Sequence, residues 1–244
     1  MSDLFDRFEI KYIINNQKYH ILINELKKIC KLDKNGIYYN QSIYFDTFDN
    51  EFYNDKIEGY KNRIKPRIRA YRNNIYAEPS NIFLEFKIRY SKCIKKERIF
   101  IDRELANKII KGYTINEQIL DNNYILQKFN KLKINKNIQP VINISYKREA
   151  YYSDIYRNLR ITFDSQFMSS FLISGLKLPY GCINYPLNPN YSIMELKYNK
   201  YLPTYFIHLI QKYELQQQTV SKFGLSLESV KTHIDNLRSR SGLT

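Results

Sequence analysis

The sequence predicts an α+β fold dominated by antiparallel strands. Three observations lead there. Eight segments alternate β-branched or aromatic residues with charged ones, the two-residue period of a half-buried strand. Amphipathic helical stripes sit between them. No internal repeat, linker or low-complexity block interrupts the chain, so residues 1–244 are read as a single domain of antiparallel strands with flanking helices.

The elements follow in order. Phe8 to Ile14 is the first strand. Asn16 to Cys30 is a helix, with Tyr19, Ile23, Leu26 and Cys30 on one apolar stripe. Gln41 to Asp46 is the second strand. Arg63 to Arg72 and Ile82 to Tyr90 are the third and fourth, and Asn73-Asn74 begins the turn between them. Ile94 to Ile101 is the fifth. Asp102 caps a short helix that ends at Gly112, with Leu105, Ile109 and Ile110 turned inward. Glu117 to Leu132 forms a further helix. Val141 to Tyr152 and Leu159 to Phe163 are the sixth and seventh strands, joined through Tyr156-Arg157-Asn158. Ser192 to Tyr198 is the eighth. Pro203 to Tyr213 and Leu225 to Leu237 are helical.

Composition removes several function classes. Lys and Arg number 39 against 24 Asp and Glu, a net charge of +15, which points to a polyanionic partner. Apolar runs such as Tyr12-Ile13-Ile14 and Ile99-Phe100-Ile101 fall far short of the ~20 residues of a membrane span. The start, Met1-Ser2-Asp3-Leu4-Phe5-Asp6-Arg7, lacks a basic and apolar leader, so no signal peptide is expected. Cys30, Cys93 and Cys182 are scattered and make neither a zinc pattern nor a disulfide framework, which suits the reducing cytoplasm. His20, His208 and His233 suggest no metal site or catalytic triad. The glycines, Gly36, Gly59, Gly112, Gly175, Gly181, Gly224 and Gly242, form no phosphate-cradling loop. Phosphate, if bound, must be held by side chains.

The placement of charge within the strands carries the functional signal. In Lys65-Pro66-Arg67-Ile68-Arg69-Ala70-Tyr71 the cations sit two residues apart and share one face. Arg7, Glu9 and Lys11 repeat the pattern, as do Glu85, Lys87 and Arg89, then Lys96 and Arg98. Arg160, Thr162 and Asp164 share a face, and so do Glu195 and Lys197. A charged face usually meets solvent. Here the opposite faces, with Ile68 and Ala70, Leu84 and Phe86, Ile161 and Phe163, Met194 and Leu196, must pack under the helices. The cationic faces then point at water or at one another. Confined together they repel, and an anionic ligand relieves that cost.

The motifs resemble a known family. Arg7-Phe8-Glu9-Ile10-Lys11-Tyr12 is similar to the R-x-E-x-K-Y opening of the VTC domain, the polyphosphate polymerase domain of the vacuolar transporter chaperone complex and its bacterial relatives. Ser42-Ile43-Tyr44-Phe45-Asp46-Thr47, Lys65 to Tyr71, Phe83-Leu84-Glu85-Phe86-Lys87, Tyr146 to Tyr151, Arg160 to Asp164, Ile193 to Tyr198 and Ser221-Lys222-Phe223 resemble further family motifs in order. Phe223 stands where the family usually has Tyr. The opening Arg7 resembles this branch more than the sister cyclase and thiamine triphosphatase branch, which begins with Glu.

The resemblance implies a closed antiparallel eight-stranded β-barrel, the tunnel of the triphosphate tunnel metalloenzymes, with flanking helices. It implies a bare catalytic domain without a sensing or membrane module, although docking on a membrane partner stays open. The implied activity is transfer of the ATP γ-phosphate to inorganic polyphosphate with a divalent metal, Mn²⁺ before Mg²⁺. Nucleic acid is not an expected partner. Lys11, Arg67, Arg69, Lys87, Arg148 and Arg160 would be catalytic. Lys65, Lys96, Lys197 and Lys222 would bind substrate. Glu195 would hold the metal, with Glu9 or Glu85. Lys96 is exposed to a one-residue register error with Lys95. Asp46 and Asp164 are expected in turns or networks, and Tyr44, Tyr71 and Tyr151 as packing or orienting groups. A triphosphatase of the same fold and a noncatalytic polyphosphate- or nucleotide-binding module are the alternatives.

Overall fold

A computed structural model describes residues 7–74, 77–91, 93–115, 117–121, 123–171, 173, 175–176 and 185–241. The features noted at Met1–Asp6, Gly181, Cys182 and Gly242, and the side chains of Arg7 and His233, lie outside the described residues. The strands are β1 (Arg7–Asn15), β2 (Lys31–Asp46), β3 (Asn62–Arg72), β4 (Asn81–Tyr90), β5 (Cys93–Phe100), β6 (Gln139–Tyr152), β7 (Arg160–Ser170) and β8 (Tyr191–Asn199). The helices are α1 (Asn16–Leu26), α2 (Glu51–Ile57), α3 (Arg103–Ile110), α4 (Glu117–Asp121), α5 (Tyr124–Lys136), α6 (Thr204–Lys212) and α7 (Lys222–Ser241). Among the described residues, no helix is long and apolar enough to cross a membrane.

One eight-stranded sheet runs in the order β1-β8-β7-β6-β2-β3-β4-β5. The ladders β1–β8, β7–β8, β3–β4 and β4–β5 are antiparallel. The closed barrel of the sequence analysis is not what this order describes, because among the described residues it ends at β1 and β5. The outer edge of β1 is partly taken by a later segment. Tyr12 bridges Gln217, and the Gln218 N–H donates to the Lys11 carbonyl at 2.9 Å. A strand edge covered in this way has fewer backbone groups left for another strand.

The described residues fall into two compact units. The first comprises Met1–Tyr39, Tyr146–Phe167 and Leu187–Ser221; the second comprises Asn40–Ser145, Met168–Pro186 and Lys222–Thr244. In the first, Tyr12, Ile14, Ile161, Phe163, Met194 and Leu196 pack with Leu22 and Leu26 of α1 and Phe206 and Leu209 of α6. Asn15 starts α1 by accepting from the Lys18 N–H at 2.9 Å. In the second, Ile68, Ala70, Leu84 and Phe86 pack with Ala106 and Ile109 of α3 and Leu126 and Phe129 of α5. Asp102 caps α3 through the Leu105 N–H at 2.7 Å, as its spacing predicted.

Several elements differ from expectation. β2 begins at Lys31, ten residues before Gln41; Lys31 to Asn40 carries little apolar alternation and includes Gly36 at φ +49°, so the sequence does not announce this half of the strand. β7 runs on past Phe163 to Ser170, where Phe167 and Met168 stand among Ser165, Gln166, Ser169 and Ser170 and Gln166 lies at φ +54°. The helix expected over Glu117 to Leu132 is two helices, and Asn123 restarts the second by accepting from the Ile125 N–H at 2.9 Å. α2 was not anticipated, for its cap lies outside it. The buried Asp46 carboxylate accepts from the N–H groups of Thr47, Phe52 and Tyr53 at 2.8, 2.8 and 2.9 Å.

Asp46→Ala therefore leaves buried donors unmet and should cost about 1–3 kcal/mol. Urea denaturation checks this: the midpoint drops for Ala and drops less for Asn, which keeps one acceptor.

Candidate functional site

In the second unit, antiparallel register sets charged side chains abreast. Arg67 lies opposite Glu85, which lies opposite Arg98. Lys65 lies opposite Lys87, which lies opposite Lys96. Arg69 lies opposite Phe83. The pairing places Lys96, not Lys95, on the cationic face. Pro66, Ile68 and Ala70, and Leu84 and Phe86, take the other face under the helices.

Glu85 is the hub of this face. Its residue is 1% exposed. Arg67 grips one carboxylate oxygen through Nε at 3.0 Å and Nη2 at 2.7 Å, and Lys96 Nζ lies 2.7 Å from the other. Burial disfavours the Glu85 charge, but Arg67, Arg69 and Lys96 outweigh it and hold the carboxyl down at about 2. Arg67 also donates Nη1 to the Tyr44 hydroxyl at 3.0 Å. Burial pushes the Tyr44 phenol up, but Arg67, Arg69 and Lys65 overcome it and bring the pKa to about 7. Tyr44 stacks on Phe223 with ring centroids 4.9 Å apart. Lys65 sits 5.4 Å over the same ring. Burial, with Lys56, Lys87 and Arg63 nearby, brings Lys65 down to about 8 against the pull of Tyr44. Lys222 opens α7, next to Phe223, and is partly buried.

Arg69 is buried and donates Nη1 to Asn40 Oδ1 at 2.9 Å. Asn40, Ser42 and Tyr44 stand two residues apart on β2, so they share a face. Asn40 Nδ2 and Ser42 Oγ are buried and have no hydrogen-bond partner among the described residues. The sequence analysis missed Asn40 and Ser42 as site residues. The same two-residue spacing from Tyr44 reaches Ser42 within the expected strand, and reaches Asn40 once β2 is extended back past Gln41.

The first unit holds a more evenly balanced set. Glu195 pairs in register with both Lys11 and Thr162, and Lys197 with both Glu9 and Arg160. Lys197 Nζ lies 2.6 Å from Glu195 and 3.4 Å from Glu9, while Lys11 Nζ lies 2.6 Å from Glu9. Glu195 is 3% exposed. Arg148 forks onto Asp164 at 2.6 and 2.7 Å, and that carboxylate keeps its guanidinium charged against burial. Arg160 reaches Asp33 at 2.8 Å, a partner on the part of β2 that sequence reading left unassigned. Thr162 Oγ1 is buried and has no hydrogen-bond partner among the described residues. Thus Glu9, Lys11, Arg148, Arg160, Glu195 and Lys197 lie in this unit. Lys65, Arg67, Arg69, Glu85, Lys87, Lys96 and Lys222 lie in the other. Among the described residues, no group of three or more His, Cys, Asp or Glu is arranged to hold a metal ion by itself.

The depressed Glu85 pKa has a pH signature. Its stabilisation is present above the unfolded value near 4.5 and is lost as pH falls towards 2. Glu85→Gln should therefore be less stable than the parent at pH 6, on the order of 3 kcal/mol. Thermal melts should show the gap closing as pH is lowered through that window; a constant gap counts against the ion-pair assignment.

The family model described as the VTC domain matches residues 6–231. No curated protein matches in sequence. Among solved structures, a candidate adenylate cyclase from Bacillus halodurans is 12% identical, with 88% of this chain and 95% of that chain covered and a TM-score of 0.51. A candidate adenylyl cyclase from Hippeastrum, described as having a dominant triphosphatase activity, is 12% identical, with 91% and 96% covered and a TM-score of 0.51. Such identities speak for the fold alone. The chain belongs to the VTC domain family and shares its fold with these two proteins.

Proposed function

We propose that this protein is an ATP-dependent polyphosphate polymerase, transferring the γ-phosphate of ATP to a growing inorganic polyphosphate chain. The observation that carries the reading is the strand face that Lys65, Arg67, Arg69, Lys87 and Lys96 share with a single buried carboxylate, Glu85, in a chain of this family. Phosphoryl transfer has a loose transition state, so catalysis is mainly positioning and charge neutralisation. Arg67, fixed by Glu85 and Tyr44, is pre-oriented to meet phosphate oxygens. Arg69 adds a second guanidinium, and the unmet donors of Asn40 and Ser42 suit the same oxygens. Lys65, Lys87, Lys96 and Lys222 supply further positive charge for substrate. Arg148, braced by Asp164, plays the corresponding role in the first unit, with Lys11, Arg160 and Lys197.

Glu195 suits a divalent cation held jointly with phosphate rather than by protein alone. It is a buried carboxylate, and Thr162, opposite it in register, has a buried hydroxyl with no hydrogen-bond partner among the described residues. When bound, the cation, Mn²⁺ before Mg²⁺, neutralises charge on phosphate oxygens. Glu9 flanks it through Lys197. Glu85, held by Arg67 and Lys96, serves as a counter-ion in this reading. Closure of the sheet into a tunnel belongs to the same proposal, as does a cytoplasmic setting, which suits the free thiols Cys30 and Cys93.

ATP and Mn²⁺ incubated with the protein should yield a ladder on a polyphosphate-stained gel. Release of orthophosphate without a ladder would favour a triphosphatase, the activity described for the Hippeastrum protein. Tight binding without turnover would leave a binding module. Arg67→Ala and Arg69→Ala should each lower turnover about a hundredfold, with far-UV circular dichroism unchanged. Glu195→Gln should raise the Mn²⁺ needed for half-maximal rate about tenfold and leave the ATP KM close to the parent's; an unaltered Mn²⁺ titration removes Glu195 from the metal.

A further inference from the structure

Beyond the rows already described, β3 and β4 place one more cation pair on the same face: Arg63 lies directly opposite Arg89. Arg69, Arg67, Lys65 and Arg63 succeed one another at every second position of β3. Such positions are about 7 Å apart, so the four span roughly 20 Å. Like charges directly opposite each other in a sheet are destabilising, yet here a two-arginine row adjoins a three-lysine row.

No carboxylate lies within ion-pair distance of Arg63 or Arg89 among the described residues. Arg63 Nη1 donates to the Lys56 carbonyl at 3.4 Å, and Arg89 Nε to the Ser91 carbonyl at 2.7 Å. Burial and the facing Arg89 lower the Arg63 pKa against the pull of Asp55. A solvated sheet face ordinarily alternates sign; this one keeps a single sign for two consecutive rows.

We propose that Arg63 and Arg89 form a distal binding site for linear inorganic polyphosphate, engaged by a long chain and not by a triphosphate held at Arg67 and Arg69. The inference rests on the proposed function and adds a chain-length preference to it. A triphosphate is too short to cover all four rows, whereas a longer chain of the same repeating chemistry covers them. Both arginines retain N–H donors beyond those given to carbonyls, and a guanidinium fork suits phosphate oxygens.

The test uses the full chain, the variant Arg63→Gln/Arg89→Gln, and two probes: inorganic tripolyphosphate and long-chain inorganic polyphosphate. Calorimetry should show long-chain affinity falling about tenfold in the variant, with tripolyphosphate affinity within about twofold of the parent. The salt slope of long-chain binding should fall by about 1.4, two phosphate contacts at about 0.7 each. Both side chains are at least partly exposed, so the melting temperature should hold. Equal loss on both probes, or no loss on the long chain, overturns the proposal. A single-stranded oligonucleotide bound as tightly as polyphosphate, and weakened equally by the variant, reassigns the surface to nucleic acid. If the parent binds neither phosphate probe, the polymerase reading falls as well. If Arg67→Ala abolishes tripolyphosphate binding while the double variant keeps full long-chain affinity, only the distal site is lost.

Discussion

Antiparallel pairing forces like charges abreast on β3, β4 and β5, and the rest of the second unit is arranged around that constraint. Lys65, Lys87 and Lys96 have no freedom to avoid one another, because the register that buries Ile68, Leu84 and Phe86 beneath α3 and α5 also aligns the lysines. The apolar face sets the pairing and the cationic face bears the cost. Glu85 moderates it by drawing Arg67 and Lys96 onto one carboxylate. A buried ion pair of this kind is a weak source of stability and a strong source of orientation.

The two units handle charge differently. In the first, nearly every cation named has an acid within reach: Lys197 with Glu195, Lys11 with Glu9, Arg148 with Asp164, Arg160 with Asp33. In the second, one carboxylate serves several cations. The balanced set resembles a network that holds itself in place, and the unbalanced one resembles a receptor for negative charge. A net charge of +15 therefore says little by itself; its distribution over strand faces says much more.

Much of this was legible because strands advertise themselves by period two. The alternation of Arg67 and Arg69 with Ile68 and Ala70 revealed both the strand and its two faces. Asp102 marked the start of α3, since a side-chain cap is a local device. Other features depend on partners distant in sequence. The opening half of β2 lacks an apolar face, so nothing in Lys31 to Asn40 announces a strand, and Asp33 was lost as the partner of Arg160. α2 is stabilised by Asp46, five residues before its first turn. The choice of Lys96 over Lys95 needed the β4–β5 register, which a single strand does not reveal.

The fork between Arg148 and Asp164 has a further consequence. Two of its five N–H donors are committed, and the guanidinium is fixed in orientation before any ligand arrives. Arg67 is similarly committed to Glu85. Lys87 is an exposed side chain on a flexible stem. Each lysine immobilised by a ligand forfeits up to about 2 kcal/mol of rotamer freedom. In the proposed function, the entropic cost of gripping an anion falls on such lysines, while the arginines act as a rigid template whose ordering was completed when the chain folded.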